Sequence, residues 1–222
     1  MAWEGMYNRY IKRMLDILIS GIALLCIFPV LPLIAIAIFW EDGFPILYRA
    51  PRCGLRGRIF FICKFRTMIK NADKIGGGTT ALRDPRITKV GSFLRKTKLD
   101  ELPQLVQVLT GKMSLVGPRP ELLQYTRQYR GEELDILQVR PGITDYSSVK
   151  FIDLASLVGS ENADSRYEEL VLPVKNALRT EYAHKVSFRT DAEILWLTAK
   201  ALLRKLLGRR SGGNGISEAE KH

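Results

Sequence analysis

The run Lys98-Leu99-Asp100-Glu101-Leu102-Pro103 sets two carboxylates side by side in a stretch that is otherwise cationic. A proline is tolerated only in the first turn of a helix, so Pro103 predicts a helix that begins near Asp100. The positive end of that helix, with Arg95, Lys96 and Lys98 close by, favours ionised carboxylates. An ionised carboxylate can act as a nucleophile or a metal ligand. An isolated acidic pair at a helix start ordinarily serves as a cap. Context sets this one apart, because Arg49–Lys98 holds 14 basic residues against only Asp73 and Asp84. Lys64-Phe65-Arg66-Thr67-Met68 alternates basic and apolar residues, as a strand with one cationic face would, although a solvated edge strand reads the same way. In Gly117-Pro118-Arg119-Pro120 two prolines fix the backbone around a guanidinium, which holds that planar fork at low entropic cost and suits it to a phosphate. Arg140-Pro141-Gly142 repeats the arrangement more weakly. Gly76-Gly77-Gly78 lacks the spacing of a phosphate-cradling loop, and His184 reads as a packing or capping residue.

The chain has 222 residues, a formal net charge of +11, 46% apolar and 26% charged residues. Those values exclude wholesale disorder and a multi-span transporter. Residues 41–130 carry 18 basic and 7 acidic side chains, so the whole excess lies in the middle third. Such a field points to a phosphate-rich partner: a nucleotide, a nucleic acid or an anionic lipid. Aromatics are not interleaved through Arg49–Lys98 beyond Phe60, Phe61, Phe65 and Phe93, which argues against nucleic acid. Cys26, Cys53 and Cys63 form neither a zinc pattern nor a disulfide framework, and they fit a reducing compartment.

Several elements must position these groups. Ile17–Trp40 contains 24 residues without a charge, long enough as a helix, at roughly 36 Å, to cross a bilayer core. Pro29 and Pro32 lie at its middle, and basic residues flank both ends: Arg9, Lys12 and Arg13 before, Arg49, Arg52, Arg56 and Arg58 after. A single span wants one basic side. A helix bent at Pro29 that returns to the face it entered satisfies both constraints. Ile46–Arg49 and Ile59–Phe65 read as short strands around a turn-rich Pro51–Gly57, and Ile69–Lys74 as a helical turn. Ser92 is expected to cap a helix over Phe93–Leu99, and a second helix to run from about Glu101 to Leu109. Gln124–Tyr129 and Glu132–Val139 look helical. Asp164 is expected to cap a helix through Ala183, and Thr190-Asp191-Ala192-Glu193 reads as a capping box for the last helix. In that helix Trp196, Leu203, Leu206 and Leu207 beside Lys200, Arg204 and Lys205 suit a membrane interface or an ordinary core. The class is mostly α with small β elements (α+β). Residues 1–40 are expected to form the re-entrant membrane hairpin, 41–207 the catalytic core and 208–222 a disordered tail.

The motifs, taken in order, resemble those of the bacterial sugar transferases, the monotopic polyprenyl-phosphate phosphoglycosyl transferases. They are Lys64-Phe65-Arg66-Thr67-Met68, Asp84-Pro85-Arg86-Ile87-Thr88-Lys89-Val90-Gly91, Leu99-Asp100-Glu101-Leu102-Pro103-Gln104-Leu105, Met113-Ser114-Leu115-Val116-Gly117-Pro118-Arg119-Pro120 and Val139-Arg140-Pro141-Gly142-Ile143-Thr144. The resemblance is dense over residues 7–144 and thin over 180–203, and it favours the small form without preceding spanning helices. It implies a re-entrant helix, a catalytic core on the cytoplasmic face of the bacterial inner membrane, and an Asp-Glu dyad at Asp100 and Glu101. It further implies transfer of a sugar-1-phosphate from a UDP-sugar to undecaprenyl phosphate with release of UMP. Asp100 would be the nucleophile, Mg²⁺ would be held by Asp100 or Glu101, and Lys64, Arg66, Arg119 and Arg140 would surround the phosphates. Membrane lipids and a possible homodimer are the other expected partners; nucleic acid is not. Two stretches depart from the family pattern. Asp145-Tyr146-Ser147-Ser148-Val149 stands where a Gly-Trp-(Ala/Ser)-Gln-Val-like run is usual, and Arg179 stands where an aspartate is common.

Overall fold

The computed structural model describes residues 3, 5–75, 77–159 and 161–207; the expected disordered tail, 208–222, lies outside them. The architecture is α+β, mostly helical with two small sheets. A wide turn over Tyr7–Ile11 leads into α1 (Lys12–Ile27), and α2 (Val30–Asp42) follows with Pro29 at its N-cap. The two helices bend by 62° at the break. Pro29 lacks the N–H needed to continue α1, so the ladder stops where the sequence places the proline. No single described helix is long and apolar enough to cross a membrane, whereas the bent pair passes that test together.

Both ends of the bent pair are tied to the rest of the chain. At the start, Lys12 pairs with Asp191, and Arg13 donates to the carbonyls of Val108 (2.5 Å) and Leu109 (2.7 Å). Asp16 accepts from the Leu115 N–H at 3.0 Å. At the far end, Glu41 accepts from the N–H groups of Lys89 (2.7 Å) and Val90 (2.9 Å), and Asp42 pairs with Arg66 at 3.1 Å. Between these anchors Leu25, Phe28, Leu33 and Trp40 are exposed.

β1 (Leu47–Cys53) and β2 (Ile59–Phe65) form an antiparallel ribbon with Leu47 opposite Phe65 and Cys53 opposite Ile59. β1 runs past the expected end at Arg49 through Pro51, because in a two-stranded ribbon a proline can sit where no donor is needed. Ala50 and Ile62 pack against Val108 and Met113, and Phe65 packs against Ile34, Ile38 and Leu94. α3 (Ala72–Ile75) is short, and α4 (Lys89–Thr97) is capped by Thr88, whose Oγ1 accepts from the Gly91 N–H at 2.9 Å. Ser92, the expected cap, lies inside α4. A Cβ at Gly91 would fall 2.0 Å from the Thr67 carbonyl oxygen, so only glycine lets α4 lie this close to the chain leaving β2.

Leu99–Glu101 form a separate 3₁₀ turn entered through Lys98 at φ 62°, and α5 (Gln104–Leu109) starts after Pro103. The expected helix from Asp100 is thus divided in two. β3 (Ser114–Val116) pairs in parallel with β4 (Gly142–Thr144), and α6 (Leu123–Thr126) and a 3₁₀ segment over Gly131–Gln138 lie between them in sequence. α7 (Tyr146–Lys150), α8 (Leu154–Val158), α9 (Ala163–Arg166), a wide turn over Tyr167–Val171, α10 (Leu172–His184) and α11 (Phe188–Leu206) complete the chain. Asp164 lies inside α9 and accepts from the Thr79 N–H (2.7 Å) instead of capping. α11 begins one turn before the expected capping box, with Ser187 Oγ accepting from the Thr190 N–H at 3.2 Å. Ile194 on α11 is buried with Val116, Val139 and Tyr182, while Trp196, Leu203 and Leu207 are exposed.

Candidate active site

Asp100 and Glu101 are both buried, at 7% and 8% exposure, although adjacent residues in a 3₁₀ turn point in different directions. Their surroundings differ accordingly. Glu101 is surrounded by cations: Arg119 binds both of its oxygens, Lys64 Nζ lies 3.3 Å away and Lys98 Nζ 3.9 Å. Burial works against ionisation of Glu101, but Arg119, Lys64 and Lys98 together hold its carboxyl well below the usual range. Asp100 has the opposite balance. Its Oδ1 is buried without a hydrogen-bond partner, and burial, then the adjacent Glu101 charge, raise its pKa against Lys64, Lys98 and Arg95.

An unsolvated carboxylate oxygen beside an ionised neighbour gains most from an incoming cation or electrophile. That orphaned oxygen fits Mg²⁺, which is commonly held by one or two carboxylates together with substrate phosphates. Glu101 is less available, since its oxygens are already engaged. Among the described residues no group of three or more His, Cys, Asp or Glu could hold a metal without such help.

Both carboxylates line a cavity of about 1280 Å³. Lys64, Arg95 and Lys98 supply cationic wall, and Leu102, Leu105 and Leu202 apolar wall. Burial pulls the Lys64 ammonium from 10.5 down to about 8, against the attraction of Glu101. Arg95, which the sequence marks only as a charge neighbouring the dyad, lines the cavity as well. Its Nε donates to Thr67 Oγ1 (2.7 Å) and its Nη1 to Thr80 Oγ1 (3.0 Å), so its described hydrogen bonds go to hydroxyls and leave its charge directed at the cavity.

The other expected phosphate ligands divide. Arg119 lines the cavity, but its guanidinium is committed to Glu101 and to the Ile143 carbonyl at 2.7 Å. Arg66 also lines it, with Nη2 donating to the carbonyls of Asp42 (2.9 Å) and Gly43 (2.6 Å), which places its charge at the end of α2. Arg140 is not among the lining residues. Burial lowers its pKa, and the charges it feels are Arg13 and Asp16 on α1. The rigid Arg-Pro-Gly turn therefore serves the packing of β4, where a Cβ on Gly142 would lie 2.1 Å from the Gly117 nitrogen.

Sequence reasoning did not reach the buried set Glu121, Asp145 and Arg179. Asp145 caps α7 and accepts from the Arg119 N–H at 2.9 Å, and Arg179 faces both acids. A signal for it was present in the sequence: the two departures from the family pattern place an acid at 145 and a base at 179.

The family described as bacterial sugar transferase matches residues 7–205. The chain is 38% identical over 195 residues to the UDP-glucose:undecaprenyl-phosphate glucose-1-phosphate transferase of Escherichia coli (strain K12), covering 86% of this chain and 40% of that protein. It is 35% identical over 196 residues to the undecaprenyl-phosphate glucose phosphotransferase of Komagataeibacter xylinus, covering 85% and 35%. It is 36% identical over 194 residues to the uncharacterized sugar transferase EpsL of Bacillus subtilis (strain 168), covering 87% of each. The chain thus spans only about two fifths or less of the length of the first two relatives. The dyad turn, the cationic cleft and the matched span converge: the chain belongs to the bacterial sugar transferase family.

Proposed function

We propose that the protein transfers a sugar-1-phosphate from a UDP-sugar to undecaprenyl phosphate, releasing UMP, as the first membrane step in assembling a surface polysaccharide or glycoconjugate. One observation carries the reading: Asp100, which has one buried carboxylate oxygen without a partner, lines a cationic cleft beside a glutamate already neutralised by Arg119. The names of the relatives supply the substrate class.

In the first step an Asp100 oxygen attacks the phosphorus that bears the sugar. The bond from that phosphorus to the bridging oxygen breaks, its electron pair leaves with UMP, and the phosphosugar remains as an acyl phosphate on Asp100. In the second step a phosphate oxygen of undecaprenyl phosphate attacks the same phosphorus. The Asp100 carboxylate leaves, and the product is a sugar on undecaprenyl diphosphate. Neither step requires a proton, so the task of the site is positioning and charge neutralisation. Lys64, Arg95 and Lys98 neutralise the phosphates, Arg119 orients Glu101, and Arg66 and Arg140 brace the scaffold. Mg²⁺, when bound at Asp100, would offset the charge of the diphosphate.

An acceptor with a polyprenyl tail requires contact with a membrane. The anchors at both ends of α1–α2 favour a re-entrant segment, because Lys12, Arg13 and Asp16 at one end and Glu41 and Asp42 at the other bind the same catalytic body. In this reading the core lies on one face of the membrane, the cytoplasmic side. The experiment is a panel of UDP-sugars with undecaprenyl phosphate and Mg²⁺, followed by UMP release. Release from at least one donor supports the reading; none from any donor contradicts it.

A further inference from the structure

A second layer of charge, which no step above uses, lies behind the Arg119–Glu101 pair. Arg119 is fixed by its main chain as well as its guanidinium, since its N–H donates to Asp145 Oδ2 at 2.9 Å. Asp145 is 1% exposed. Its carboxylate also accepts from Ser147 Oγ (2.8 and 2.9 Å), the Ser148 N–H (2.6 Å) and Ser148 Oγ (2.6 Å), so it has little freedom to move. Facing it from α10 is Arg179, equally buried at 1%. Its Nε makes an ion contact with Asp145 Oδ2 at 3.5 Å, and its Nη1 pairs with Glu121 Oε2 at 3.1 Å. Glu121 follows Arg119 with only Pro120 between them, and it is held in turn by the Tyr167 hydroxyl at 2.5 Å. One arginine therefore hydrogen-bonds the acid two residues beyond Arg119 and faces, by charge and without a hydrogen bond from Nε, the acid that binds the Arg119 backbone.

Stability is a weak explanation for such a cluster, because buried ion pairs can often be replaced by apolar residues without loss. Preorganisation is a better one, since a fork held against Glu101 has to keep its geometry while phosphates come and go. We propose that Arg179 is a positioning residue for the transfer reaction: with Asp145 and Glu121 it fixes the Pro118–Glu121 segment so that Arg119 presents both terminal nitrogens to Glu101. This rests on the reading of Asp100 and Glu101 given above. Lysine cannot replace Arg179, because a single ammonium lacks the planar fork that reaches two acids in different directions.

The test uses the full chain in detergent, as wild type, Arg179→Lys, Arg179→Met and Asp145→Asn, each with and without Arg119→Ala. The first readout is UMP release from the most active UDP-sugar of the panel. Arg179→Lys is expected to lower kcat about tenfold with KM changed less than about twofold. In the Arg119→Ala background it should cost less than about twofold, because residues acting through one another are not additive. Asp145→Asn should show the same pattern. The second readout is the ¹⁵N guanidinium signals of Arg119, assigned by their loss in Arg119→Lys; they should move in Arg179→Lys. If Arg179→Met fails to fold, Arg179→Lys and Asp145→Asn carry the test. Equal losses in both backgrounds, with the Arg119 signals unmoved, would overturn the proposal and leave Arg179 a purely structural residue. If wild type releases no UMP from any donor, the functional reading fails, and the Arg119 signals still decide whether Arg179 positions it.

Discussion

Arg119 grips Glu101 through both terminal nitrogens, Nη1 at 2.9 Å from Oε2 and Nη2 on Oε1, while Nη1 also donates to the Ile143 carbonyl at 2.7 Å. The pairing gives two adjacent carboxylates different surroundings. Glu101 is neutralised in place, and Asp100 keeps a buried oxygen with no partner.

Removing that grip should therefore damage the reaction more than the fold. Arg119→Ala is expected to lower kcat by about 10²–10³, the usual cost of one preorganised donor. Arg119→Lys should recover only part of it, because the fork is lost. Steady-state kinetics on protein with an unchanged melting transition checks this; near-normal turnover by Arg119→Ala would contradict it.

Backbone packing beneath the site makes a separate demand. Gly142→Ala should lose roughly 3 kcal/mol or more, the range reached when a core position is overpacked, because its Cβ would lie 2.1 Å from the Gly117 nitrogen. Gly21→Ala is the control, since nothing lies within 4 Å of its added Cβ. Thermal unfolding of the two variants side by side should show a large drop for the first and none for the second.

Lys175 gives a pH dependence of stability. Burial, opposed by Glu121 and assisted by Arg179, brings its ammonium from 10.5 down to about 8. Between pH 8 and 10.5 the unfolded chain therefore binds more protons at this position than the folded one. Stability from this group is present above the unfolded value and is lost as pH falls through about 8. Relative to Lys175→Met, wild type should gain stability as pH rises across that window. Parallel denaturation curves at pH 7 and pH 9.5 would show an unchanged difference if the lysine were not perturbed.

The anchors of α1 and α2 predict that residues 9 and 44 face the same side of the membrane. Arg9→Cys and Phe44→Cys, each in a background with Cys26, Cys53 and Cys63 replaced by Ser, should resist an impermeant maleimide in intact cells. Both should react once the inner membrane is opened. Labelling of one position alone from outside would restore a single span.

Much of this organisation was legible in the sequence, for local reasons. The Pro29 break and the β2 strand follow from nearby residues, and the structure has both; the helix expected from Asp100 is instead a separate turn followed by α5. Where two hydroxyl residues lie a turn apart, the earlier one in the chain is the cap. Thr88 and Ser187 cap α4 and α11, because Ser92 and Thr190 already lie inside those helices. The shared layer of Glu121, Asp145 and Arg179 was not legible as a cluster, since 34 residues separate its closest oppositely charged pair and no local pattern reports that contact. Arg66 and Arg140 both carry the motif expected of phosphate ligands, yet the fold separates them: Arg66 lines the cavity with Nη2 bound at the end of α2 and Nη1 without a partner, whereas Arg140 is not among the lining residues. A motif reports which residues occur and not what their side chains meet in the fold.

The central claim is that Asp100 carries the phosphosugar. Intact-protein mass spectrometry tests it most directly, after incubation with the active UDP-sugar and Mg²⁺ but without lipid acceptor. The account predicts an adduct of sugar-phosphate mass on wild type, formed with no more UMP than there is enzyme and absent from Asp100→Asn. Full turnover by Asp100→Asn, with no adduct on either protein, would contradict it and leave direct attack by the lipid phosphate as the mechanism.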